Sequence, residues 1–564
     1  MGLSVVRFGL LLVLAVGIAC TEPGDGPSAT KSGIRDQRVD FATADPVQRA
    51  CALPPKYLAR IWRGHDSERS EDILFVPRAP NFIGSFTLTS HSGPWGYLQR
   101  IPLVLYGPGH ISTSGEAQRP AKITDLYPTV EKLLDVDLVP RSGHVLREAI
   151  VGGASPPNLI LTIVWDGMGR NTLRIWPDHW PNLLHLQRGG VSYVNATVGS
   201  SPSITGVTHS SLGTGSFPRR HGITGNQLRS TEGTLAQAFG GRSADDLKLS
   251  TFADQVDASL GNRPKVGLLG WKHWHLGMLG HGSGLPAGDA DEVALLHYGP
   301  RGMKLQGLPT DYSTASGVRS AGDIHRSLGR LDREDGKQDG KWMGHDIRVG
   351  PNEVLWDTYS NPAWVDYQTD VLLRFLERGN YGRDEVPDLA FTNFKMADLA
   401  GHRWGVESPE TGAVLRALDS SLGSVVAYLD ENVGNYVLVV TSDHGNTPSP
   451  GSTGAWPILQ DELITDVNEH FHVDEDSSLV TTTVAYGMFL NRDTMTALGV
   501  TARDVARFLN RYTIRQNWTE RNLPDGYGDR GGEEVFSAVF PGDSLDEVIR
   551  CAFGSQRPPP GLDR

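Results

Sequence analysis

Residues 157–169 read PNLILTIVWDGMG. The run is apolar and partly β-branched, which predicts a strand buried on both faces, as in a parallel sheet, and it ends by delivering Asp166 between glycine-rich turns. Ligands collect at that edge of an open α/β sheet. Two more runs have the same form, DLAFTNF (388–394) and NYVLVVTSDHG (435–445). Between them PETGAVLRALDSSLGSVVAYLDEN (409–432) carries apolar residues at helical spacing, completing a strand, helix, strand unit. The expected core is a doubly wound, mostly parallel α/β sheet. From about 227 to 387 the patterning weakens, apart from a strand at KVGLLGW, and that region is expected to form loops or a cap above the sheet edge.

The chain has 564 residues, long enough for one large α/β core with insertions. Its 52 basic and 65 acidic side chains give a net charge of −13, and no lysine or arginine block is present to follow a phosphate backbone. A nucleic-acid scaffold is therefore not an expected partner. The opening MGLSVVRFGLLLVLAVGIAC has the grammar of a signal peptide over residues 1–19, with an apolar run too short to span a bilayer comfortably. Cys20 directly after Ala19 resembles a bacterial lipoprotein signal, in which that cysteine is acylated; an ordinary secretory signal is the alternative. Residues 20–45 then form a flexible tether. The expected location is the cell envelope, with the membrane surface reached through a lipid on Cys20. Of the remaining cysteines, Cys51 and Cys551 can pair in an exported chain or can each be buried and free.

Acidic and histidine elements follow the strand ends: Asp166, then Asp398 and His402 in DLAGH, then Asp443 and His444 in SDHG. Taken singly, an aspartate there is commonly a cap or turn former. In combination, carboxylate and imidazole are the ligand types of a hydrolytic zinc site, and two such ions can clamp the oxygens of a phosphoryl transfer. Residues 201–226, SPSITGVTHSSLGTGSFPRRHGITGN, enter a small-residue helix through threonine and serine, so backbone N–H groups at its start can hold an anionic ester. A metal-activated threonine hydroxyl there is a nucleophile; the alternative is a local capping or ST-turn.

PSIT (202–205), TG at 214–215 and HGITGN (221–226), taken with the DLAGH and SDHG elements, resemble the alkaline phosphatase superfamily. The resemblance is nearest to its nucleotide pyrophosphatase/phosphodiesterase branch and its threonine-nucleophile phosphatases. It implies that Thr205 attacks phosphorus to form a phosphothreonine, that Asn226 binds a nonbridging phosphoryl oxygen, and that two zinc ions are cofactors. One ion would sit on Asp166, Thr205, Asp443 and His444, the other on Asp398, His402 and one further histidine.

That histidine is out of the family's customary place. After His444 only His470 and His472 remain, in NEHFHVDED. Far upstream, however, His91 stands in TSHSGPWGYLQRIPLVLYGPG (89–109), ahead of TDLYPTVEKLLDV, and this order resembles the family's closing segment. The resemblance thus implies a circular permutation: 46–150 is the displaced part of the core, 151–226 carries the nucleophile, 227–387 is the cap, and 388–564 carries metal ligands. Cys51 and Cys551 would flank the cut. In GWKHWHLGMLGHG (270–282), Lys272 fits a phosphate-binding lysine of some threonine-nucleophile phosphatases, while His273 and His275 have no implied role and a packed aromatic turn is the alternative. The expected function is hydrolysis of a small-molecule phosphoester. A sulfate or phosphonate ester hydrolase on the same core and a noncatalytic surface lipoprotein are the alternatives; the sulfatase C/S-x-P-x-R signature is absent at Thr205.

Overall fold

The three apolar runs lie side by side in one ten-stranded sheet. The computed structural model describes residues 45–84, 88–230, 232–299, 302–315, 317–318, 323–347, 359–555, 558–559 and 561–562. The leader at 1–19, Cys20 and the tether up to residue 44 lie outside the described residues.

In chain order the strands of the two larger sheets are β1 (Ile73–Pro77), β2 (Leu103–Tyr106), β3 (Gly115–Ala117), β4 (Leu159–Trp165), β5 (Val191–Tyr193), β6 (Val266–Gly270), β7 (Asp291–Gly299), β8 (Gly302–Leu305), β9 (Tyr312–Thr314), β10 (Asp388–Phe394), β11 (Tyr436–Thr441), β12 (Val480–Val484), β13 (Gly487–Leu490) and β14 (Phe536–Pro541). The helices that matter here are α1 (Pro46–Cys51), α2 (Leu126–Leu134), α3 (Thr205–Thr214), α4 (Phe252–Ser259), α5 (Pro362–Arg378), α6 (Met396–Trp404), α7 (Pro409–Asn432) and α8 (Leu545–Phe553).

The central sheet runs β8-β7-β6-β10-β4-β11-β2-β5-β3, with β9 beside β7. Strands β7, β6, β10, β4 and β11 are parallel, and β2 lies antiparallel to β11 with Leu103 opposite Thr441. Every residue of β4, β10 and β11 is buried. Alternate side chains of β4 enter different cores, which is what covering both faces requires. Leu159, Leu161, Ile163 and Trp165 pack with α5 and α7, whereas Ile160 and Val164 pack with α2, α3 and α4. Helix α7 begins where Ser408 accepts the Thr411 N–H and proline occupies the first turn, and it buries Val414, Leu418, Leu422, Val425 and Leu429 on one face. Burying each such aliphatic side chain stabilises the fold by roughly 1.5–3 kcal/mol before entropy is counted.

The stretch 227–387 gives more to the core than its weak patterning suggests. It supplies β6 to β9 to the central sheet, and α5 to one of its faces. Two of these strands are only four and three residues long, too short to carry a legible period.

The second sheet, β12-β13-β1-β14, joins residues from both ends of the described chain. Beside it, Cys51 of α1 is disulfide-bonded to Cys551 of α8. Among the described residues no helix is long and apolar enough to cross a membrane.

Candidate functional site

Because β4, β10 and β11 run parallel, the residues that follow them emerge at one edge. Asp166 follows β4, Lys395 and α6 follow β10, and Asp443 and His444 follow β11. Helix α6 places Asp398 in its first turn and His402 four residues later on the same face, with His402 Nε2 3.2 Å from Asp398 Oδ1. His91 reaches the same spot from the loop before β2: its Nε2 lies 3.7 Å from Asp398 Oδ1, and its ring stacks on His444 at 3.6 Å. Thr205 opens α3 with its side chain buried. The structure therefore brings Asp166, Thr205, Asp398, His402, Asp443, His444 and His91 together. His470 and His472 are exposed elsewhere, His470 stacked on Phe508 at 4.1 Å.

The donor set fits divalent metal. His91 Nδ1 lies 3.0 Å from Ser203 O and His402 Nδ1 2.9 Å from Thr89 O, contacts that require the proton on Nδ1 and leave each Nε2 lone pair toward Asp398. His444 Nδ1 has a longer contact of 3.3 Å with Gly445 O. Asp398 Oδ1, Asp443 Oδ2 and His444 Nε2 are buried without any hydrogen-bond partner, the state expected of ligand atoms. Two groups of ligand atoms lie within 4.8 Å of one another, His91 with Asp398 and His402, and Asp166 with Asp398 and His444. Burial, helped by the neighbouring His444, lowers the His91 imidazole well below its usual range, and burial lowers that of His444 to about 4 against the opposing charges of Asp398 and Asp166, so both are neutral as ligands must be.

Asp166, His209 and His275 also approach within 4.8 Å. This third group is a poor metal site. His275 Nδ1 accepts the N–H groups of Trp271 and Lys272 at 3.3 and 3.4 Å, so its other nitrogen carries the proton. His209 instead supports Thr205: its Nδ1–H donates to Thr205 O at 2.6 Å, and its Nε2 accepts from Asn393 Nδ2, which also donates to Asp166 Oδ2.

Sequence reasoning missed Lys395. Its ammonium, on a side chain only 4% exposed, donates to Asp166 Oδ1 at 2.8 Å, Asp398 Oδ2 at 2.7 Å and Thr205 Oγ1 at 3.0 Å. Burial works to lower its pKa, but Asp166, Asp398 and Asp443 outweigh it and raise it above that of an ordinary lysine. Its signal in the sequence is only its place directly after a buried strand.

Asn226 stands beside helix α3: a Cβ added to Gly206 would meet Asn226 Oδ1 at 3.4 Å, and that oxygen is buried without a partner. The Asn226 backbone N–H donates to Tyr486 OH at 3.2 Å. Above the cluster a cavity of about 660 Å³ is lined by Trp271, Lys272, His273, Trp274, Tyr359 and Lys395, among others. Lys272 Nζ lies 4.8 Å from the centre of the Trp274 ring, and burial with the nearby Lys395 charge lowers its pKa to about 8. His273 lines the cavity, and His275 is fully buried below it.

A 33% identical match over 89 residues, 16% of this chain and 16% of the relative, is to alkaline phosphatase PhoD of Zymomonas mobilis subsp. mobilis. A protein of Myroides odoratus named calcium-transporting ATPase is 24% identical over 339 residues, 52% of this chain and 61% of its own. The chain thus matches less than two thirds of the length of either relative. Among solved structures, wild-type alkaline phosphatase PafA is 16% identical, with a TM-score of 0.47 over 72% of this chain and 85% of that one. The family described as type I phosphodiesterase / nucleotide pyrophosphatase matches residues 160–288 and 298–517. More than half of the sequence is matched, including every residue gathered at the sheet edge except His91, and the chain belongs to this family, within the alkaline phosphatase superfamily.

Proposed function

We propose that this protein is a metal-dependent phosphoester hydrolase with Thr205 as nucleophile. One observation carries the reading: a buried threonine hydroxyl at a helix start, 3.0 Å from a lysine ammonium and beside two groups of carboxylate and imidazole ligand atoms. His91, Asp398 and His402 would hold one ion; Asp166, Asp443, His444 and Thr205 would hold the second, zinc suiting the mixed nitrogen and oxygen donors. Bound metal supplies positive charge that stabilises phosphoryl oxygens and favours the deprotonated nucleophile.

The chain's own groups then divide the work. Thr205 Oγ1 gives its proton to solvent water and bonds to phosphorus as the bond from phosphorus to the ester oxygen breaks, the departing alkoxide taking a proton from water, giving a phosphothreonine. Lys395 holds its ammonium on the Thr205 oxygen and stabilises it as the attacking anion. Asn226 donates its amide to a nonbridging oxygen, while His209 and Asn393 fix the backbone and carboxylate on which the nucleophile rests. Water then cleaves the phosphothreonine, restoring Thr205 and releasing phosphate or a phosphomonoester.

The permuted order is part of this proposal. It is supported by His91 standing in the cluster, by β2 pairing beside β11, and by a family match that begins only at residue 160. Export and a lipid anchor on Cys20 are likewise proposed. The Cys51–Cys551 bond supports an oxidising compartment. The substrate is a small phosphoester rather than a nucleic acid scaffold, consistent with the charge of −13.

Thr205→Ala should lower turnover of an aryl phosphomonoester or phosphodiester by about 10³-fold or more while metal content and melting temperature stay near wild type. Near-native turnover in that variant rules out the nucleophile. Faster cleavage of an aryl sulfate than of either phosphoester by the wild type would move the assignment to sulfate esters.

A further inference from the structure

Asp257 on α4 and Asp289 and Asp291 at the entry to β7 form a cluster that the phosphoester reading does not use. One carboxylate oxygen from each lies within 4.8 Å of the others. Asp257 and Asp291 are 5% and 6% exposed, whereas Asp289 opens to solvent. The cluster lies at the opposite edge of the sheet from the reaction centre. Strands β6 and β7 are parallel with Gly267 opposite Glu292, so Asp291 begins β7 near the start of β6, while Lys272 follows the end of β6. Five residues of strand separate the two edges by about 15 Å.

Charge balance is missing there. Asp254, one turn earlier on α4, is committed to His281, whose N–H it accepts at 2.7 Å and whose Nδ1 it meets at 2.9 Å. The charged groups acting on Asp257 and Asp291 are all aspartates, among the described residues. Burial first, then a side-chain hydrogen bond with Asp289 and the charges of Asp289 and Asp254, raises Asp257 to about 7, and burial with the neighbouring aspartates raises Asp291 well above the usual carboxylate range. Two buried oxygens at this place also lack any partner. Asp257 Oδ1 is one; the other is Oδ1 of Asn262, whose backbone N–H donates to Asp257 O at 2.9 Å and whose amide donates to Ala287 O at 2.8 Å, bridging the two segments. A buried polar oxygen without a donor is costly, and a cation satisfies several at once.

We propose that Asp257, Asp289 and Asp291 bind one calcium ion that fastens helix α4 to the start of β7. The donors are all oxygen, which selects a hard cation over zinc. The exposed side at Asp289 leaves room for the waters that complete a calcium shell. The ion offsets two of the three carboxylate charges without a proton and takes no part in the reaction.

Calorimetric titration of calcium into the full chain, already saturated with zinc, tests this directly. One ion per chain is expected with a Kd on the order of 10⁻⁵ to 10⁻³ M, together with a rise in melting temperature. Asp257→Asn and Asp291→Asn should each weaken binding by about tenfold or more while zinc content and phosphoester turnover stay unchanged. Asp289 is exposed, so Asp289→Asn folds regardless and should weaken calcium in the same way. Absence of calcium binding in the wild type, or affinity unchanged in Asp257→Asn and Asp289→Asn, overturns the site whatever the outcome for Thr205.

Discussion

Lys395 concentrates the electrostatic problem of the reaction centre in one side chain. A lysine is almost never buried unless it is paired, and here all three ammonium hydrogens have partners on Asp166, Asp398 and Thr205. Lys395→Met removes the donor to Thr205 Oγ1, the proposed nucleophile, and leaves two buried carboxylate oxygens without it. Turnover should fall by about 10²–10³-fold, the usual loss for one preorganised donor at a developing charge, with zinc content by elemental analysis close to wild type. Turnover within a few fold of wild type would mean that the ammonium only balances charge. In the sequence this lysine could not be singled out: in NFKMAD it has the form of an ordinary solvent-facing residue at a helix start. Asp166, Asp398, His402, Asp443 and His444 were legible because strand ends and helical spacing put them at one edge. The supporting pair His209 and Asn393 was not, since a histidine inside a small-residue helix and an asparagine inside an apolar strand have no period that announces their contact.

At the scale of elements, the early position of the His91 loop in the chain is the decisive feature. It precedes β2, and β2 packs antiparallel against β11, which carries Asp443 and His444 out of the sheet. Strand pairing across the interior of the chain thus brings to Asp398 and His402 a histidine that sequence order would keep remote. The strands at 159–165, 388–394 and 436–441 were readable as continuous apolar runs, being covered on both faces. Within 227–387 the strand at 266–270 was readable too, whereas β8 and β9 were obscured by brevity and β7 by the polar residues at its ends. His91→Ala should weaken the ion shared with Asp398 and His402 by at least about tenfold and cut activity with it, since a catalytic zinc commonly has three protein ligands. His470→Ala and His472→Ala should leave both unchanged. Metal titrations of the three variants decide the matter: full affinity in His91→Ala with loss in either of the others removes His91 from the site and the permuted ordering with it.

At the scale of the whole molecule, the first helix of the described chain is tied to its far end by one covalent bond and a partly buried ion pair. The disulfide joins Cys51 to Cys551 across 500 residues of sequence. Beside it, Arg49 reaches from α1 to Glu534 Oε2 at 2.6 Å and to Ser537 O at 2.8 Å, while Val47, Ala50, Leu545, Val548 and Ile549 share one apolar cluster. These contacts keep α1 docked when the bond is cut, so reduction should not unfold the protein or change turnover at Thr205. The unfolded chain, by contrast, regains the entropy of a very long loop. Loss of the bond should therefore lower stability by about 2–5 kcal/mol, with a lower urea midpoint for reduced wild type and for the Cys51→Ser, Cys551→Ser double variant. Peptide mapping without reductant should recover the linked pair from exported protein. Two thiols open to alkylation in native material, or a urea midpoint indifferent to reductant, would remove this bond from the account of how the ends are held.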